Sequence, residues 1–326
     1  MKRFTVIAIA LAMLLGISQT SMAQSGNVVF YNAGGSKLGK ALTKAFNKHH
    51  PDIGVDLISA GSGELLTKIK AEKDNPRGDV VYFTMASFDS DPSYYESFRH
   101  PDHAMWPDTA IGKDLKYYGF TDTIYTFILN TDEMKREDAP KTWKELGDPK
   151  YKGKIIMANP SLSGSAYNQL ATFVQLYGWD LVEKIVANAV IVPKSRLVYS
   201  LVAKGEYPVG VTEETKAYVE AAKGFKTVSI YPADGMPLMG SAIGIIKNAP
   251  NMENAKLLAT FINSKEGQGI HVKVRKRRVP RTDVTQPSGL PPISTLNILY
   301  DFDVVKASAN RKAYLKKFDE IFSSKK

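Results

Sequence analysis

Three segments of the sequence combine glycine with hydroxyl side chains where a predicted strand is followed by a predicted helix. Backbone N–H groups without intrahelical partners and the positive end of the helix dipole coincide at such a junction. Together they can bind a phosphate, a sulfate or a carboxylate without any charged side chain. Serine and glycine are also preferred as ordinary helix caps, so a purely structural role stays open for each junction. The three segments are Ala33-Gly34-Gly35-Ser36, Ser59-Ala60-Gly61-Ser62-Gly63 and Ser161-Leu162-Ser163-Gly164-Ser165.

The elements that carry the first two junctions alternate between strand and helix. Apolar and β-branched runs predict strands at 27–34, 54–61 and 79–86, and apolar residues at helical spacing predict helices at 36–49 and 63–73. The third run is nearly continuous in its apolar residues, which is typical of a strand covered on both faces of its sheet. Three βα units in about sixty residues predict a parallel, doubly wound sheet.

A second series of the same kind follows a long predicted strand at 119–131. An amphipathic helix near 309–322 is predicted to end the chain. A mature chain of about 300 residues exceeds what one hydrophobic core usually organises, so we expect two lobes. The predicted strands of this series are 154–160, 189–193, 207–214 and 241–247, and its main predicted helices are 163–177, 179–188 and 215–223.

The first 23 residues have the three parts of a secretory signal peptide. Lys2 and Arg3 form a positive region, an apolar stretch covers 4–17, and Ser21-Met22-Ala23 supplies small residues before a cleavage site. The apolar stretch is shorter than the roughly 20 residues that span a bilayer. We therefore expect a soluble exported protein that begins near Gln24 and acts outside the cytoplasm.

Composition and charge exclude several kinds of site. The chain contains no cysteine, which excludes thiolate chemistry, cysteine metal sites and a disulfide framework. Its formal charge of +10 falls to +8 when Lys2 and Arg3 are removed with the signal peptide. The basic excess is dispersed except for KVRKRRVPR at 273–281, where six of nine residues are basic. We interpret this cluster as a solvated surface turn, because export argues against a nucleic-acid patch.

Several segments of the mature chain carry the pattern of a known family. They are YNAGG at 31–35, AGSGELLTKIKAEKDNPRGDVV at 60–81, NTDEMKREDAPKTWKELGDPKYKGKIIMANPSLSGSAYNQLATFVQLYG at 130–178, KGEYPVGVTEE at 204–214, MENAKLLATFINSKEGQ at 252–268 and RRVPRTDV at 277–284. The chain resembles the periplasmic solute-binding proteins of ABC importers. Within them it is similar to the two-lobed subgroup of ferric-ion, hexose-phosphate and aminoethylphosphonate binders, over essentially the whole mature chain.

The resemblance implies an α/β fold of two doubly wound lobes joined by two hinge strands, the type II periplasmic binding protein fold. Lobe one would comprise 24–122 and 237–326, and lobe two would comprise 123–236. The chain would cross between the lobes near 120–130 and 230–235. RRVPRTDV would pack on lobe one as a structural turn, and the lobes would close over a ligand in the cleft.

The resemblance also implies a small anionic or zwitterionic ligand, which we expect to be a phosphorylated or phosphonylated organic molecule. Its anionic group would lie at the junction residues, and Glu213, Glu214 and Asp234 would bind its hydroxyl or amino end. Alternatively, Glu213 and Glu214 would have only a structural role at the start of the next helix, where a carboxylate interacts favourably with the helix dipole. The full set of predicted ligand-binding residues is Gly35, Ser36, Ser62, Gly63, Met85, Gly164, Ser165, Ala166, Glu213, Glu214 and Asp234.

Other ligands and roles stay open. Ferric binders of the family carry adjacent tyrosines after the segment that matches KGEYPVGV, where this chain has Thr212-Glu213-Glu214-Thr215. Its tyrosine pairs lie earlier, at 94–95 and 117–118. A ferric-ion or polyamine binding protein of the same fold is one alternative, and a ligand sensor for a membrane receptor is another.

We expect no catalysis, no metal site and no cofactor. The sequence contains no G-x-S-x-G elbow, no H-E-x-x-H motif and no P-loop. The expected partner is an ABC permease in the inner membrane, with no nucleic acid, and we expect the protein to be a monomer.

Overall fold

The computed structural model describes residues 25–325, so the predicted signal peptide at 1–23 lies outside the described residues. No helix in this range is long and apolar enough to cross a membrane. The strands are β1 (Gly26–Asn32), β2 (Ile53–Ser59), β3 (Val80–Thr84), β4 (Tyr118–Thr123), β5 (Tyr125–Asn130), β6 (Ile155–Ala158), β7 (Val190–Val192), β8 (Val209–Glu213), β9 (Thr227–Ile230), β10 (Met236–Pro237), β11 (Met239–Ile245) and β12 (Ile298–Leu299). The helices are α1 (Ser36–His49), α2 (Ser62–Ala71), α3 (Met85–Asp89), α4 (Gly164–Asn188), α5 (Ser195–Ala203), α6 (Thr215–Ala221), α7 (Met252–Asn263), α8 (Lys265–Arg275), α9 (Val304–Ala309) and α10 (Arg311–Ser324).

The first sheet has five strands in the order β2-β1-β3-β11-β4. β1 pairs in parallel with β2 and β3, whereas β11 runs antiparallel to β3 and β4. The helices α1 and α2 are the crossovers that parallel neighbours require. All residues of β4 are buried, as expected for a strand covered on both faces of its sheet. The predicted parallel, doubly wound arrangement of the first βα units is confirmed.

The second sheet also has five strands, in the order β7-β6-β8-β5-β9. β6 pairs in parallel with β7 and β8, so the carboxyl ends of these three strands lie at the same edge of the sheet. β5 runs antiparallel to β8 and β9. One face of the sheet carries a large aromatic core, in which the Trp143 ring packs edge-on against Phe127 and also contacts Phe173.

The chain passes from the first sheet to the second at Ile124. β4 ends at Thr123 in the first sheet, and β5 begins at Tyr125 in the second. The single strand predicted over 119–131 is therefore two strands. The run of apolar residues is continuous across Ile124, so it does not show that the backbone changes its hydrogen-bonding partners there. The return runs through β10, which pairs with β12 in a two-stranded ribbon, before β11 re-enters the first sheet.

Helix α4 contains a break that the sequence predicted. Gly178 has a φ of 75° and a ψ of −173°, which divides the helix into two segments. These segments match the two helices predicted at 163–177 and 179–188. A positive φ favours glycine, so the residue type itself marks the break.

Helix α8 was not predicted, and it contains the first residues of the basic segment KVRKRRVPR. The helix ends at Arg275, inside that segment, and its buried residues include Gln268 and His271. Arg278 and Arg281 are each only 3% exposed, so the interpretation as a solvated surface turn is wrong for these arginines and holds only for the exposed Lys273 and Lys276. The apolar pattern did not predict the helix because its fully buried side chains, those of Gln268 and His271, are polar.

The C-terminal helix α10 packs against α4, whereas the resemblance implies that all of 237–326 belongs to lobe one. We call the parts of the protein built around the first and second sheets its first and second halves. Phe318 is buried in the same core cluster as Trp143 of the second half. An amphipathic pattern shows which face of a helix is buried, but any apolar surface within reach can cover it. The sequence therefore predicted the helix and not its location.

We expect Trp143→Ala to lower the free energy of unfolding by about 3–5 kcal/mol, the usual cost of removing a buried tryptophan. Trp143 is 1% exposed, and its Nε1 donates a hydrogen bond to the Gly235 carbonyl at 2.8 Å. Urea unfolding measures the change. The matched control is Trp179→Ala, because Trp179 is only partly buried and should cost clearly less. Equal losses in the two variants would contradict the assigned core.

Candidate functional site

The first two glycine-serine junctions lie side by side at the carboxyl ends of β1 and β2. Asn32 is paired with Ser59 in the register of these strands and is fully buried. Its side-chain amide donates hydrogen bonds to the Gly35 carbonyl and to Ser59 Oγ, both at 3.1 Å, and its oxygen accepts one from the Gly34 N–H at 2.9 Å. One buried amide therefore fixes both loops that precede α1 and α2.

Glycine is required in the first junction for two separate reasons. Gly35 stands before α1 with a φ of 84°, a conformation that other residues rarely adopt. At Gly34 a Cβ atom would collide with the Tyr82 ring. Neither α1 nor α2 has a side-chain cap at its N-terminus, so the first backbone N–H groups of both helices are available for an acceptor.

The third junction gathers hydroxyl groups from two helix N-termini of the second sheet. Ser163 caps α4 by accepting a hydrogen bond from the Ala166 N–H at 3.3 Å. Its Oγ lies 3.1 Å from Ser165 Oγ and 2.5 Å from Ser195 Oγ, and the last two hydroxyls are 2.8 Å apart. Ser195, the first residue of α5, was not among the predicted site residues. β6 and β7 are parallel neighbours, and this pairing brings their following helices together.

Arg275 and Arg277 connect the first-sheet junction to the second sheet. The Arg275 side chain donates a hydrogen bond to the Gly34 carbonyl at 3.2 Å, directly before α1. Two residues later, Arg277 makes a two-bonded ion pair with Glu213 at the carboxyl end of β8, with Nε to Oε1 at 2.8 Å. The strand ends of the two sheets therefore face each other across these arginines. Neither arginine was predicted as a site residue.

Glu213 lies at the centre of a cluster of positive charge. Its carboxylate accepts a hydrogen bond from Thr215 Oγ1 at 2.8 Å and lies 3.4 Å from Lys216 Nζ. Burial opposes its ionised form, but Arg277 and Lys216 outweigh this effect and hold the pKa of Glu213 well below its usual range. Burial lowers the pKa of Lys216, and Glu213 opposes that shift. We call Arg275, Arg277, Lys216 and Glu213 the charged cluster; it holds three cations and one carboxylate.

Aromatic hydroxyls surround the charged cluster. Tyr125, opposite Glu213 in the register of β5 and β8, accepts a hydrogen bond from Asn168 Nδ2 at 3.2 Å. Asn168 lies one turn after Ser165 on α4, which links the serines to the charged cluster. Burial raises the pKa of Tyr125 to about 12, and it also raises the pKa of Tyr82. Both phenols are therefore neutral hydrogen-bonding groups near neutral pH.

The histidine of this region is also neutral. His271 is fully buried and lies within hydrogen-bond distance of Thr121 Oγ1 on β4. Burial, followed by the charges of Arg277 and Arg275, lowers its pKa to about 3. His271 thus adds no charge to the cluster, which keeps a surplus of two positive charges.

Glu214 has a structural role and is not free to bind a ligand. Its carboxylate accepts two hydrogen bonds from Arg278, at 2.7 and 3.1 Å, and one from the Tyr231 hydroxyl at 2.8 Å. Both side chains of the Arg278–Glu214 pair are at most 4% exposed. RRVPRTDV therefore reaches the second sheet as well as the first, which corrects the expectation of a turn on lobe one alone.

Asp234 is likewise engaged away from the strand ends. Its carboxylate accepts hydrogen bonds from the Trp143 N–H at 2.8 Å and from the Tyr177 hydroxyl. It caps the short helical turn at Lys144–Gly147 next to the aromatic core. We therefore leave Asp234 out of the site, in contrast to the expectation from the sequence.

The remaining predicted residues differ in their exposure. Ser36, Gly63 and Gly164 are exposed at the junctions, and Ser62 is partly exposed. Ala166 is fully buried, so only its backbone N–H, bound to Ser163, belongs to the site. Met85 follows β3 and packs tightly over Gly240 and against Gly119 near the passage between the sheets, which is a packing role.

No group of three or more His, Cys, Asp or Glu side chains is arranged to hold a metal ion within residues 25–325. The tyrosine pairs are used inside the first half. The Tyr117 hydroxyl donates to Asp89 at 3.1 Å, the Tyr118 hydroxyl lies 2.8 Å from His103 Nδ1, and Tyr95 is fully buried. These phenols are not directed at the junctions.

Residues 41–294 match a family model described as bacterial extracellular solute-binding protein. The chain belongs to this family. A relative from Haemophilus influenzae, described as an uncharacterized protein, is 31% identical to this solute-binding protein over an alignment that covers 94% of each chain. A putative 2-aminoethylphosphonate-binding periplasmic protein of Salmonella typhimurium is 25% identical over 72% of this chain and 71% of its own. Iron uptake protein A1 of Synechocystis is 26% identical over 66% of this chain and 65% of its own.

Solved structures confirm the predicted type II periplasmic binding protein fold. The periplasmic binding protein AfuA from Actinobacillus pleuropneumoniae, with fructose-6-phosphate bound, has a TM-score of 0.75 and 28% identity. The match covers 92% of this solute-binding protein and 99% of AfuA. Iron-bound HitA from Pseudomonas aeruginosa has a TM-score of 0.78 with 21% identity, over 90% and 99% of the two chains, and shows the fold alone.

Asp122 lies beside the arginine–glutamate pair at the passage between the sheets. Its backbone N–H donates to the Arg278 carbonyl at 3.1 Å, and its side chain is buried. Burial raises the pKa of Asp122 to about 7, Arg278 opposes this shift, and Glu214 adds to it. The folded protein therefore binds a proton between about pH 4 and 7 that the unfolded chain releases.

We expect the stability contributed by protonated Asp122 to be complete below about pH 4 and to be lost as the pH rises towards 7. At 1.36 kcal/mol for each pKa unit, the loss is at most about 4 kcal/mol. Asp122→Asn should flatten this part of the pH profile, measured by urea unfolding at pH 5 and 7.5. Asp108→Asn, at an exposed position, is the control. Parallel profiles for wild type and Asp122→Asn would refute the assignment.

Proposed function

We propose that this solute-binding protein captures a small phosphorylated or phosphonylated organic molecule by closure of its two halves. It then delivers the ligand to an ABC permease in the inner membrane. The observation that carries the proposal is the charged cluster, in which Arg275, Arg277 and Lys216 face the single carboxylate of Glu213. A phosphate monoester carries about −1.5 to −2 charges at pH 7, which matches the surplus of two positive charges.

Geometry supports the same ligand class. Arginine presents its N–H groups in a planar fork that suits the oxygens of a phosphate or phosphonate. Arg277 is 21% exposed and Lys216 is 25% exposed, so both can still contact a ligand while they hold Glu213. The hydroxyls of Ser163, Ser165 and Ser195 can donate hydrogen bonds to further oxygens, beside the N-termini of α4 and α5.

Glu213 is a positioning residue in this proposal, in place of the ligand contact that the sequence suggested. Its carboxylate accepts both bonds from Arg277 and fixes the guanidinium at the end of β8. Breaking such a pair leaves an uncompensated buried charge, so the cluster is preserved with or without ligand. The uncharged part of the ligand would contact neutral groups such as Tyr125 and Asn168.

Two of the relatives are associated with organic anions. AfuA was solved with fructose-6-phosphate, and the Salmonella relative is named for 2-aminoethylphosphonate. Iron uptake proteins also occur among the relatives. We favour the organic anion because the surplus charge at the site is positive, which repels a bare ferric ion.

We further propose that the protein acts in the periplasm as a monomer, without catalysis and without binding nucleic acid. The family and the names of its periplasmic relatives support this location. A sensor that reports to a membrane receptor would use the same fold and the same site. Co-purification of the ligand-loaded protein with its permease distinguishes the two roles.

We expect the phosphorylated or phosphonylated organic ligands to raise the melting temperature of the mature protein, since binding to the folded state adds stability. Fructose 6-phosphate, 2-aminoethylphosphonate, inorganic phosphate, spermidine and ferric citrate are compared by thermal shift. A ligand at one hundred times its Kd should raise Tm by about 5 °C. A shift with ferric citrate or spermidine and none with the organic anions would reject the proposed ligand.

We expect Ser165→Asp to abolish binding of the organic anion, because a carboxylate would stand against the ligand. Ser165→Ala should weaken binding by about tenfold to a hundredfold, since a hydrogen bond to a charged group contributes about 1.5–3 kcal/mol. Calorimetry measures both affinities. Ser308→Asp, at an exposed position on α9, is the control for added charge. Unchanged affinity in Ser165→Asp would remove the serine junction from the site.

A further inference from the structure

A cavity of about 820 Å³ lies between α6 and α8. The two helices belong to different halves of the protein. α6 is tied to the second sheet by the hydrogen bond from Thr227 Oγ1 to the Ala217 carbonyl at 2.8 Å. α8 is tied to the first sheet by Gln268, whose amide donates to the Gly119 carbonyl at 3.1 Å. The cavity is thus a space between the halves, and its volume is in the usual range for a site that holds a small molecule.

One face of each helix forms a wall of the cavity. α6 and the residue after it contribute Thr215, Tyr218, Val219 and Ala222, spaced as neighbours on one helical face. α8 contributes Gly269 and Val272 in the middle of its length. The segment 284–290, with Val284 and Leu290, closes the third side. This segment also contributes the polar residues Thr285, Gln286 and Ser288, but most of the lining surface of the cavity is apolar.

Positive charge stands along one wall of this apolar space. Lys265, Lys273 and Lys276 line it from α8 and its C-terminal end. None of the lining residues that the structure describes is acidic. A ligand that suits such a space has an apolar body for the side chains of α6 and an anionic group for the lysines of α8.

We propose that this cavity is a second binding site, for a small amphipathic anion such as an aromatic sulfonate or a medium-chain carboxylate. It is distinct from the charged cluster, because Arg275, Arg277, Glu213 and Lys216 do not line it. The two sites adjoin at Thr215, which lines the cavity and donates its hydroxyl hydrogen to Glu213. An occupant would contact both halves of the protein at once, so its binding is linked to their relative position.

The test uses 8-anilinonaphthalene-1-sulfonate, an apolar aromatic body with one sulfonate. Titration of the folded mature protein, followed by fluorescence, should show saturable binding at one site, and decanoate should displace the dye. The double variant Lys265→Glu with Lys273→Glu should lower the affinity for the dye by about tenfold, because two attractive charges become repulsive. The matched control is Lys312→Glu, on the exposed side of α10, with unchanged affinity expected.

A second variant tests the space and not the charge. Ala222→Trp places a large side chain in the cavity and should abolish dye binding while circular dichroism and urea unfolding remain those of the folded protein. If that variant does not fold, the lysine variants decide alone, since both lysines are exposed. Equal dye affinity in wild type and the double lysine variant overturns the proposal. The proposal would also be overturned if fructose 6-phosphate displaced the dye and decanoate did not. The dye would then bind at the charged cluster, and the proposed function would stand.

Discussion

Two adjacent arginine–glutamate ion pairs join the two halves of this protein. Arg277 binds Glu213, and Arg278 binds Glu214, between the segment after α8 and the end of β8. Charges buried to this extent are tolerated only when they are paired and hydrogen-bonded. The pairs therefore fix where the basic segment of the first half meets the second sheet. The charged cluster is positioned by that contact.

The same contact determines the electrostatics of the site. Arg277 is directed to β8, while Arg275, two residues earlier, is directed to the junction before α1. One basic segment thus carries positive charge to the strand ends of both sheets. The serine hydroxyls and the helix N-termini add neutral donors around it. Membership in the solute-binding family and the positive charge at the strand ends both support the proposal of a small anionic ligand.

Local pattern was sufficient for most of the fold. The strand–helix alternation, the parallel pairing of the first units and the break at Gly178 all follow from residues near one another in the chain. The partition of 119–131 between two sheets did not follow, because apolar residues indicate burial and not the hydrogen-bonding partner. Helix α8 was missed for the opposite reason, since its buried face carries polar residues such as Gln268 and His271.

The sequence by itself determined the positions of the glycine-serine junctions, because strand ends, helix starts and backbone conformation depend on adjacent residues. Only the tertiary structure decided the roles of Glu213, Glu214 and Asp234. The arginine partners of the two glutamates lie 64 residues away in the sequence, and Trp143 lies 91 residues from Asp234. No local pattern predicts contacts between residues so far apart. A buried carboxylate binds whatever donor the fold places beside it. Its chemistry is therefore set by packing between distant segments and not by its own neighbourhood in the chain.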